Sequence, residues 1–281
     1  MKKVSVILLS LLFTSVCFAP VGFKKKKEDI EKFKDPRLVV VLMSDSSYNA
    51  SLINAVEKYW TFNSGFVFVP DSAIKEYNKP EFSYLFFSKG KGAKIKAKTG
   101  SSEIDFNGLI VTGGGKFKKR AIAPELIAGG YCSSVIDTSD WYPEMTRAVQ
   151  MLNNYFNSAI EAADDKVLAG IANNAPSDIS LLDQTLLVPL KALDLKGKED
   201  APTLSGGTEI EEMEVDEIYK AILTRSSNLV FFYSKAEKGC NKIITSTSGD
   251  LVYYTEDGIE NCGLNAKDFK ALKAKREKAN K

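Results

Sequence analysis

Histidine is absent from all 281 residues, and this absence excludes several kinds of active site. Ser-His-Asp and Cys-His catalysis use an imidazole as the general base, and histidine-ligated metal sites need its ring nitrogens. An enzyme built on this chain would depend on carboxylates, lysine, tyrosine or a bound cofactor. Since no other reactive grouping is visible, we predict no catalytic residue, no metal site and no cofactor.

A strong excess of one charge is also lacking. The chain has 38 basic and 36 acidic residues. Without Lys2 and Lys3, which belong to the predicted export signal below, the two numbers are equal. A nucleic-acid-binding protein needs basic residues in excess to neutralise phosphates. We therefore expect no nucleic-acid partner.

Only one long apolar run is present, from Val4 to Ala19, and it follows Lys2 and Lys3. Positive charge, an apolar core and then small residues form the layout of a secretory signal peptide. The run is shorter than the roughly 20 apolar residues of a membrane-spanning helix. We predict a signal peptide over residues 1–19 and no transmembrane segment in the mature chain. The protein is then exported, to be periplasmic, associated with the outer membrane, or secreted.

The cleavage point of this signal is left open. Ala19 suits the position before the cut, but Pro20 follows it, and proline there is a poor substrate for signal peptidase. Cleavage after Cys17 or Gly22 and lipidation of Cys17 are the alternatives.

Cysteine is scarce, and three cysteines remain after export. Cys240 and Cys262 bracket a predicted β-hairpin that turns at residues 248–250. Because thiols oxidise outside the cytoplasm, we predict a disulfide between them, with two separate buried thiols as the alternative. Cys132 is predicted to be a small core residue.

Strands that alternate with helices predict an α/β protein with mostly parallel sheets in two βαβ-type lobes. The basic segments near the two ends of the chain are usually interpreted as solvent-exposed. Contact with a membrane surface is the more specific alternative. The predicted division is a signal peptide (1–19), a charged linker (20–36), a first α/β lobe (37–130), a helical middle (131–180), a second α/β lobe (181–264) and a basic C-terminal helix (265–281).

The second lobe shows a weak likeness to the first. Residues 84–89, Tyr-Leu-Phe-Phe-Ser-Lys, resemble residues 229–235, Leu-Val-Phe-Phe-Tyr-Ser-Lys, and strands and helices follow in a similar order. Internal duplication and a coincidence among common strand residues both explain this likeness.

The segment from Ala55 to Phe62, between a buried strand and Phe66-Val67-Phe68-Val69, resembles a pattern in uncharacterised secreted proteins of Bacteroidetes-type bacteria. The resemblance covers about the first third of the mature chain. It implies export, an α/β fold and a Gram-negative envelope setting, and it implies no activity.

Four polar residues follow the first buried strand and are candidates for ligand binding: Asp45, Ser46, Ser47 and Tyr48. In open α/β sheets, ligands bind beyond the carboxyl ends of the strands. Ordinary loop and capping roles are the alternative. Asn49 is the predicted N-cap of a helix over residues 50–60.

A second group of candidates precedes the middle helix. Asp137, Asp140 and Trp141 combine carboxylates with an aromatic ring, a combination that suits sugar binding or glycosidase chemistry. Helix capping by Asp140 and core packing by Trp141 are the alternative, and they explain these residues without any function.

The absence of a reactive grouping favours an exported envelope protein that binds a protein partner or supports assembly of a larger complex, without catalysis. Two alternatives remain: a carboxylate-based glycan hydrolase, and a small-ligand-binding protein with a crevice between its lobes.

Overall fold

The computed structural model of the chain describes residues 26–88, 93–97, 100–104, 108–113, 126–131, 141–172, 184–194, 208–236, 240–257 and 261–279. The strands in this part of the chain are β1 (Arg37–Leu42), β2 (Phe66–Pro70), β3 (Phe82–Ser88), β4 (Ala93–Ala97), β5 (Gly100–Ile104), β6 (Gly108–Gly113), β7 (Leu126–Tyr131), β8 (Thr185–Pro189), β9 (Ile210–Met213), β10 (Leu229–Ala236), β11 (Cys240–Ser246) and β12 (Leu251–Asp257). The α-helices are α1 (Lys27–Glu31), α2 (Ser46–Tyr59), α3 (Trp141–Glu161), α4 (Asp165–Ala172), α5 (Val215–Thr224) and α6 (Ala266–Ala279), and a 3₁₀ helix covers Asp71–Tyr77.

The first sheet has the strand order β2-β1-β3-β6-β7. β1 is a continuous apolar run, as expected of a strand covered on both faces. Its residues alternate between two hydrophobic clusters, one containing Leu38 and Val40 with α2 and the other containing Val39 and Val41 with the 3₁₀ helix. β1 is parallel to both β2 and β3, whereas β6 and β7 are added by antiparallel pairing. β4 and β5 form a separate two-stranded sheet.

The second sheet has the strand order β9-β8-β10-β11-β12. β8 is parallel to β9 and β10, and β11 and β12 continue the sheet by antiparallel pairing. The α/β fold is therefore confirmed. Both sheets are mixed, because parallel strands need long crossovers, whereas the later strands of each sheet follow by direct antiparallel pairing.

The two sheets have the same strand order and the same strand directions. β3 and β10 are the third strands of their sheets in chain order. They include residues 84–88 and 229–235 of the two similar segments, and they take the same place beside β1 and β8. This equivalence favours internal duplication. The connections between the second and third strands differ, since the 3₁₀ helix joins β2 to β3 whereas α5 joins β9 to β10.

Residues of the predicted charged linker take part in the core. Ile30 of α1 is fully buried, and the ring of Phe33 stacks on Phe156 of α3 at 6.4 Å. The Lys27 ammonium donates a hydrogen bond to the Ala162 carbonyl at 2.8 Å. Ile30 and Phe33, three positions apart among the lysines of this segment, pack the short helix against α3.

The middle helix α3 packs on both lobes. Its apolar stripe joins the core of the first lobe, where the Asn153 Oδ1 atom accepts hydrogen bonds from the backbone N–H groups of Thr61 (2.8 Å) and Phe62 (3.2 Å) just after α2. On the second lobe, Asn154 donates to the Ser248 carbonyl at 3.0 Å in the β11–β12 turn. Gly249 in this turn has φ +94°, and a Cβ atom there would lie 2.6 Å from Gln150, so a larger residue does not fit.

A disulfide joins Cys240 to Cys262, with a Cα–Cα distance of 5.2 Å and 22 residues of sequence separation. It links the start of β11 to the segment that leads into α6. The bond is consistent with an oxidising compartment outside the cytoplasm. No helix among the described residues is long and apolar enough to cross a membrane.

Removing this disulfide is expected to lower the free energy of unfolding by about 3 kcal/mol. The reason is that the unfolded chain without the cross-link has more conformational entropy, which favours unfolding by about this amount for a loop of this length. The variant with both Cys240→Ser and Cys262→Ser should show the loss in urea denaturation, and dithiothreitol should produce the same loss in the wild type only. A double variant as stable as the oxidised wild type would contradict the expectation.

Candidate functional site

At the carboxyl ends of β8 and β10, the chain connections run to opposite sides of the second sheet. From β8 the chain continues to β9 on one side, whereas β10 leads to β11 on the other side. In α/β sheets, the crevice between two neighbouring parallel strands whose connections diverge is the usual place for a ligand. Pro189 ends β8 and Ser234 lies near the end of β10, so both residues stand at this crevice.

The middle helix α3 covers this crevice, and the helix face that does so carries charged residues. Its opposite side carries the expected apolar stripe of Met145, Val149 and Leu152. The side turned to α5 carries Glu144 and Arg147, which lie one helical turn apart and therefore project together. Both charged side chains are buried, with exposed fractions of 3% for Glu144 and 2% for Arg147.

A cavity of about 200 Å³ lies between α3, α5 and the ends of β8 and β10. Its apolar lining residues are Pro189, Ala192, Val215, Ile218, Ile222, Phe231 and Phe232, and its polar lining residues are Glu144, Arg147, Tyr219 and Ser234. The deep part is formed by buried residues, and Val215 at the rim is 42% exposed. An apolar pocket with a few convergent polar groups is the usual form of a small-ligand site.

The two charged lining residues form a close ion pair. The Arg147 Nη2 atom donates a hydrogen bond to the Glu144 Oε2 atom at 2.8 Å, a normal distance for a charge-assisted bond. The Tyr219 hydroxyl of α5 donates to the other carboxylate oxygen, Oε1, at 3.3 Å. A paired acid and base cost far less to bury than either one alone, so the pair can be held in a lining that is mainly apolar.

The described lining of the cavity contains one carboxyl group. Glycoside hydrolysis needs two carboxyl groups that face each other across the substrate, and Glu144 is the single acidic residue among the described residues that line the cavity. No group of three or more potential metal ligands occurs among the described residues. The mainly apolar lining can hold a small apolar group.

No family model, curated protein or solved structure matches the chain. The geometry of the cavity is therefore the basis for any inference about function.

The candidates after β1 have structural roles in the first lobe. The Asp45 Oδ1 atom accepts a hydrogen bond from the Tyr48 backbone N–H at 2.9 Å and so caps α2, which begins at Ser46. Ser46 and Ser47 are exposed residues of its first turn. Tyr48 is fully buried, and its ring meets that of Trp141 edge-on at 5.1 Å. These residues are remote in sequence from the cavity lining and do not contribute to it.

The predicted cap at Asn49 is wrong, because the Asn49 side chain binds the backbone of Met43 instead of the start of the helix. The Asn49 amide oxygen accepts from the Met43 backbone N–H at 2.9 Å, and its nitrogen donates to the Met43 carbonyl at 2.8 Å. These two bonds satisfy backbone groups just past the end of β1. Asp45 is therefore left to cap the helix.

The second group of candidates gives a partial result. Asp137 and Asp140 lie outside the described residues. Trp141 begins α3 and is buried against Tyr48 and Phe87. It acts in the described structure as a packing residue, which is the alternative raised from the sequence.

Sequence reasoning did not find Glu144, Arg147 or Tyr219. The only local signal is the spacing of Glu144 and Arg147, which in an isolated helix indicates a solvent-exposed ion pair. Their burial follows from the packing of α5, whose residues lie about 70 positions later in the chain.

Proposed function

We propose that the chain is an exported, non-catalytic protein that binds a small, largely apolar ligand in the cavity beneath α3. The observation that carries this proposal is the cavity itself. It has a buried ion pair and apolar walls, and it lies where the connections after β8 and β10 diverge. The export signal in the sequence and the disulfide support a setting in the cell envelope, either the periplasm or the outer membrane, or in the extracellular medium.

The size of the cavity limits the ligand. A dry cavity of about 150 Å³ is large enough for a benzene ring, and this cavity measures about 200 Å³. The ligand portion that enters is therefore of the size of one substituted aromatic ring or one branched aliphatic chain. A polymer such as a glycan would need a longer cleft lined by many polar groups, so the hydrolase alternative receives no support here.

We expect toluene to bind the wild-type protein with a Kd on the order of 1 mM, as good packing of seven carbon atoms allows. The Ala192→Phe variant should bind toluene at least about tenfold more weakly, because the new ring occupies the cavity. Titration followed by ¹H–¹⁵N correlation spectra measures both constants. Shifts should concentrate on the amides of α5 and the end of β10.

The matched control is Ala50→Phe, which makes the same change at an exposed position of α2 and should leave toluene affinity unaltered. Val215→Phe at the rim gives a second filling variant if Ala192→Phe does not fold. Undiminished toluene binding in a folded filling variant would place the ligand elsewhere and contradict the proposal.

A second candidate function is the binding of a protein partner that inserts one apolar side chain into the cavity. Two of the large apolar residues that are exposed, Leu190 (46%) and Val215 (42%), lie next to or within the cavity lining, and they favour this candidate. Affinity purification from intact envelopes tests it. Recovery of the wild-type protein without any partner would exclude this second candidate and leave the small-ligand proposal standing.

A further inference from the structure

We infer that the disulfide between Cys240 and Cys262 controls the ligand affinity of the cavity, so that a dithiol reductant lowers this affinity by freeing one wall. The inference rests on the proposed function and adds regulation to the same site. The observation behind it is a short series of contacts that leads from Cys262 to Ala192, a lining residue of the cavity.

The segment just after Cys262 is hydrogen-bonded to the wall of the cavity. The Leu264 backbone N–H donates to the Ala192 carbonyl at 2.8 Å, and the Asp194 backbone N–H donates to the Leu264 carbonyl at 2.8 Å. The Leu264 side chain is fully buried in a hydrophobic cluster that also contains Phe232, a second lining residue of the cavity. A shift of Leu264 is therefore transmitted to the cavity lining.

The two hydrogen-bonded segments lie as close together as a glycine allows. A Cβ atom at Gly263 would lie 2.9 Å from the Ala192 carbonyl oxygen and 2.9 Å from the Asp194 Cβ atom. The turn that leads from β8 to Ala192 contains Lys191 at φ +69°, a conformation that residues other than glycine adopt uncommonly. Such a backbone persists only where the surrounding structure fixes it, and the hydrogen bonds to Leu264 help to fix this turn.

Reduction removes the covalent end of this series of contacts. Cys262 lies two residues before Leu264 and is partly buried, whereas Cys240 is only 1% exposed. One thiolate of the dithiol attacks the Cys262 sulfur and breaks the S–S bond, and the second thiol then closes the reductant's own disulfide and releases Cys262. The dithiol gives up two electrons and two protons, and both cysteines become thiols. Noncovalent contacts alone then hold Leu264.

A freer wall weakens binding, because only a fraction of the reduced molecules holds Ala192 in the position that closes the cavity. The apparent Kd rises by the inverse of this fraction. We expect the reduced wild type to bind toluene about fivefold or more weakly than the oxidised wild type. Titration of each form, followed by ¹H–¹⁵N correlation spectra, measures the two affinities.

The coupling must also act in the reverse direction. If toluene binds the oxidised form more tightly, it makes reduction by dithiothreitol less favourable, by a factor that the two Kd values and the toluene concentration fix. Free thiols counted in mixtures of reduced and oxidised dithiothreitol, with and without toluene, measure this shift.

The Gly263→Ala variant disturbs the same wall while the disulfide stays intact. The added methyl group pushes the segment away from Ala192, so the oxidised variant should bind toluene about fivefold or more weakly than the wild type. Reduction should then weaken its binding little further. The matched control is Gly65→Ala, where a Cβ atom meets no neighbouring group within 4 Å, and it should keep both the toluene affinity and the redox response of the wild type.

The outcomes distinguish this inference from the function on which it rests. Equal toluene affinity of the folded oxidised and reduced wild type would overturn the inference and leave the proposed function standing. Unaltered affinity in folded Gly263→Ala, or an equal loss in Gly65→Ala, would do the same. If the reduced wild type or Gly263→Ala does not fold, the other one decides the outcome. If toluene binds neither form of the wild type, the proposed function fails, and the inference fails with it.

Discussion

The Glu144→Leu variant is expected to lose about 3–5 kcal/mol of unfolding free energy, because the substitution leaves the Arg147 guanidinium buried without its carboxylate. The exposed fraction of the arginine side chain is only 2%, so water does not replace the lost partner. The Tyr219 hydroxyl loses its acceptor in the same change. Urea denaturation monitored by circular dichroism measures the loss through the shift in midpoint.

The double variant, Glu144→Leu with Arg147→Met, is expected to recover most of that stability. Two apolar side chains of similar volume need no hydrogen bonds, and their packing replaces a pair whose desolvation offsets much of its attraction. A double-mutant cycle therefore should give a large coupling energy between the two positions. A single variant as stable as the wild type would show that the carboxylate is not needed to compensate the arginine.

This result also bears on function. If the pair contributes little net stability relative to apolar residues, then stability alone does not explain why a charged pair stands at a cavity wall. Toluene titration of the double variant supplies the other half of the comparison, because it measures what the pair contributes to binding in the cavity. Together they separate a structural role from a binding role at the same two residues.

Much of the fold could be predicted from local patterns. The apolar run at β1 is typical of a buried strand. The spacing of Met145, Val149, Leu152 and Phe156 is typical of the apolar stripe of a helix, and all four residues of α3 are buried in one hydrophobic cluster. Such patterns work because the core selects one face of each element. The strand order within each sheet depends on long-range pairing, which residues along one strand do not specify.

The cap of α2 shows a different limit. Asp45 and Asn49 both belong to residue types that favour the N-cap, and they lie only four positions apart. The choice between them is made by the backbone of Met43, which takes up the Asn49 side chain. A tertiary contact thus decides a local feature.

The cavity was harder to predict than the buried elements or the helix cap. Its lining comes from α3, α5 and the ends of β8 and β10, which span about 90 residues of the chain. In the sequence, each contributing segment resembles an ordinary amphipathic helix or buried strand. Only the docking of α5 on α3 turns a helix face with Glu144 and Arg147 into the wall of a site.

A second buried ionic network anchors the C-terminal helix α6. The Lys242 ammonium of β11 is fully buried and donates to the Asp268 Oδ2 atom at 2.8 Å. Asp268 also accepts hydrogen bonds from the Tyr253 hydroxyl at 2.9 Å and from the Asn265 backbone N–H at 3.0 Å. Burial first, and then the Asp268 carboxylate, raise the pKa of the Tyr253 hydroxyl, so it remains a hydrogen-bond donor at neutral pH.

Asp257 completes the network nearer the surface. Burial alone would raise the pKa of Asp257, but its ion pair with Lys242 at 3.1 Å and its contact with Lys267 at 3.4 Å outweigh that effect and lower the pKa below the ordinary value of 3.8. A carboxyl group with a depressed folded pKa stabilises the protein at pH values above its unfolded pKa, and this contribution is lost as the pH falls through the folded value. The contribution of Asp257 to stability should therefore be lost in acid, below about pH 4.

The Asp268→Leu variant is expected to lose about 3–5 kcal/mol of unfolding free energy, since a fully buried ammonium loses its closest carboxylate. Few apolar contacts compensate, because Phe269 and Leu272 are the buried apolar residues of α6 in the described structure. Hydrogen exchange should accelerate most strongly at the amides of α6 and β12. The control is Lys267→Ala, which removes the Lys267 side chain, 74% exposed, from the same network and should cost no more than about 0.5 kcal/mol. Equal losses in the two variants would mean that the helix dipole or general surface charge, rather than the buried pair, holds α6 on the second sheet.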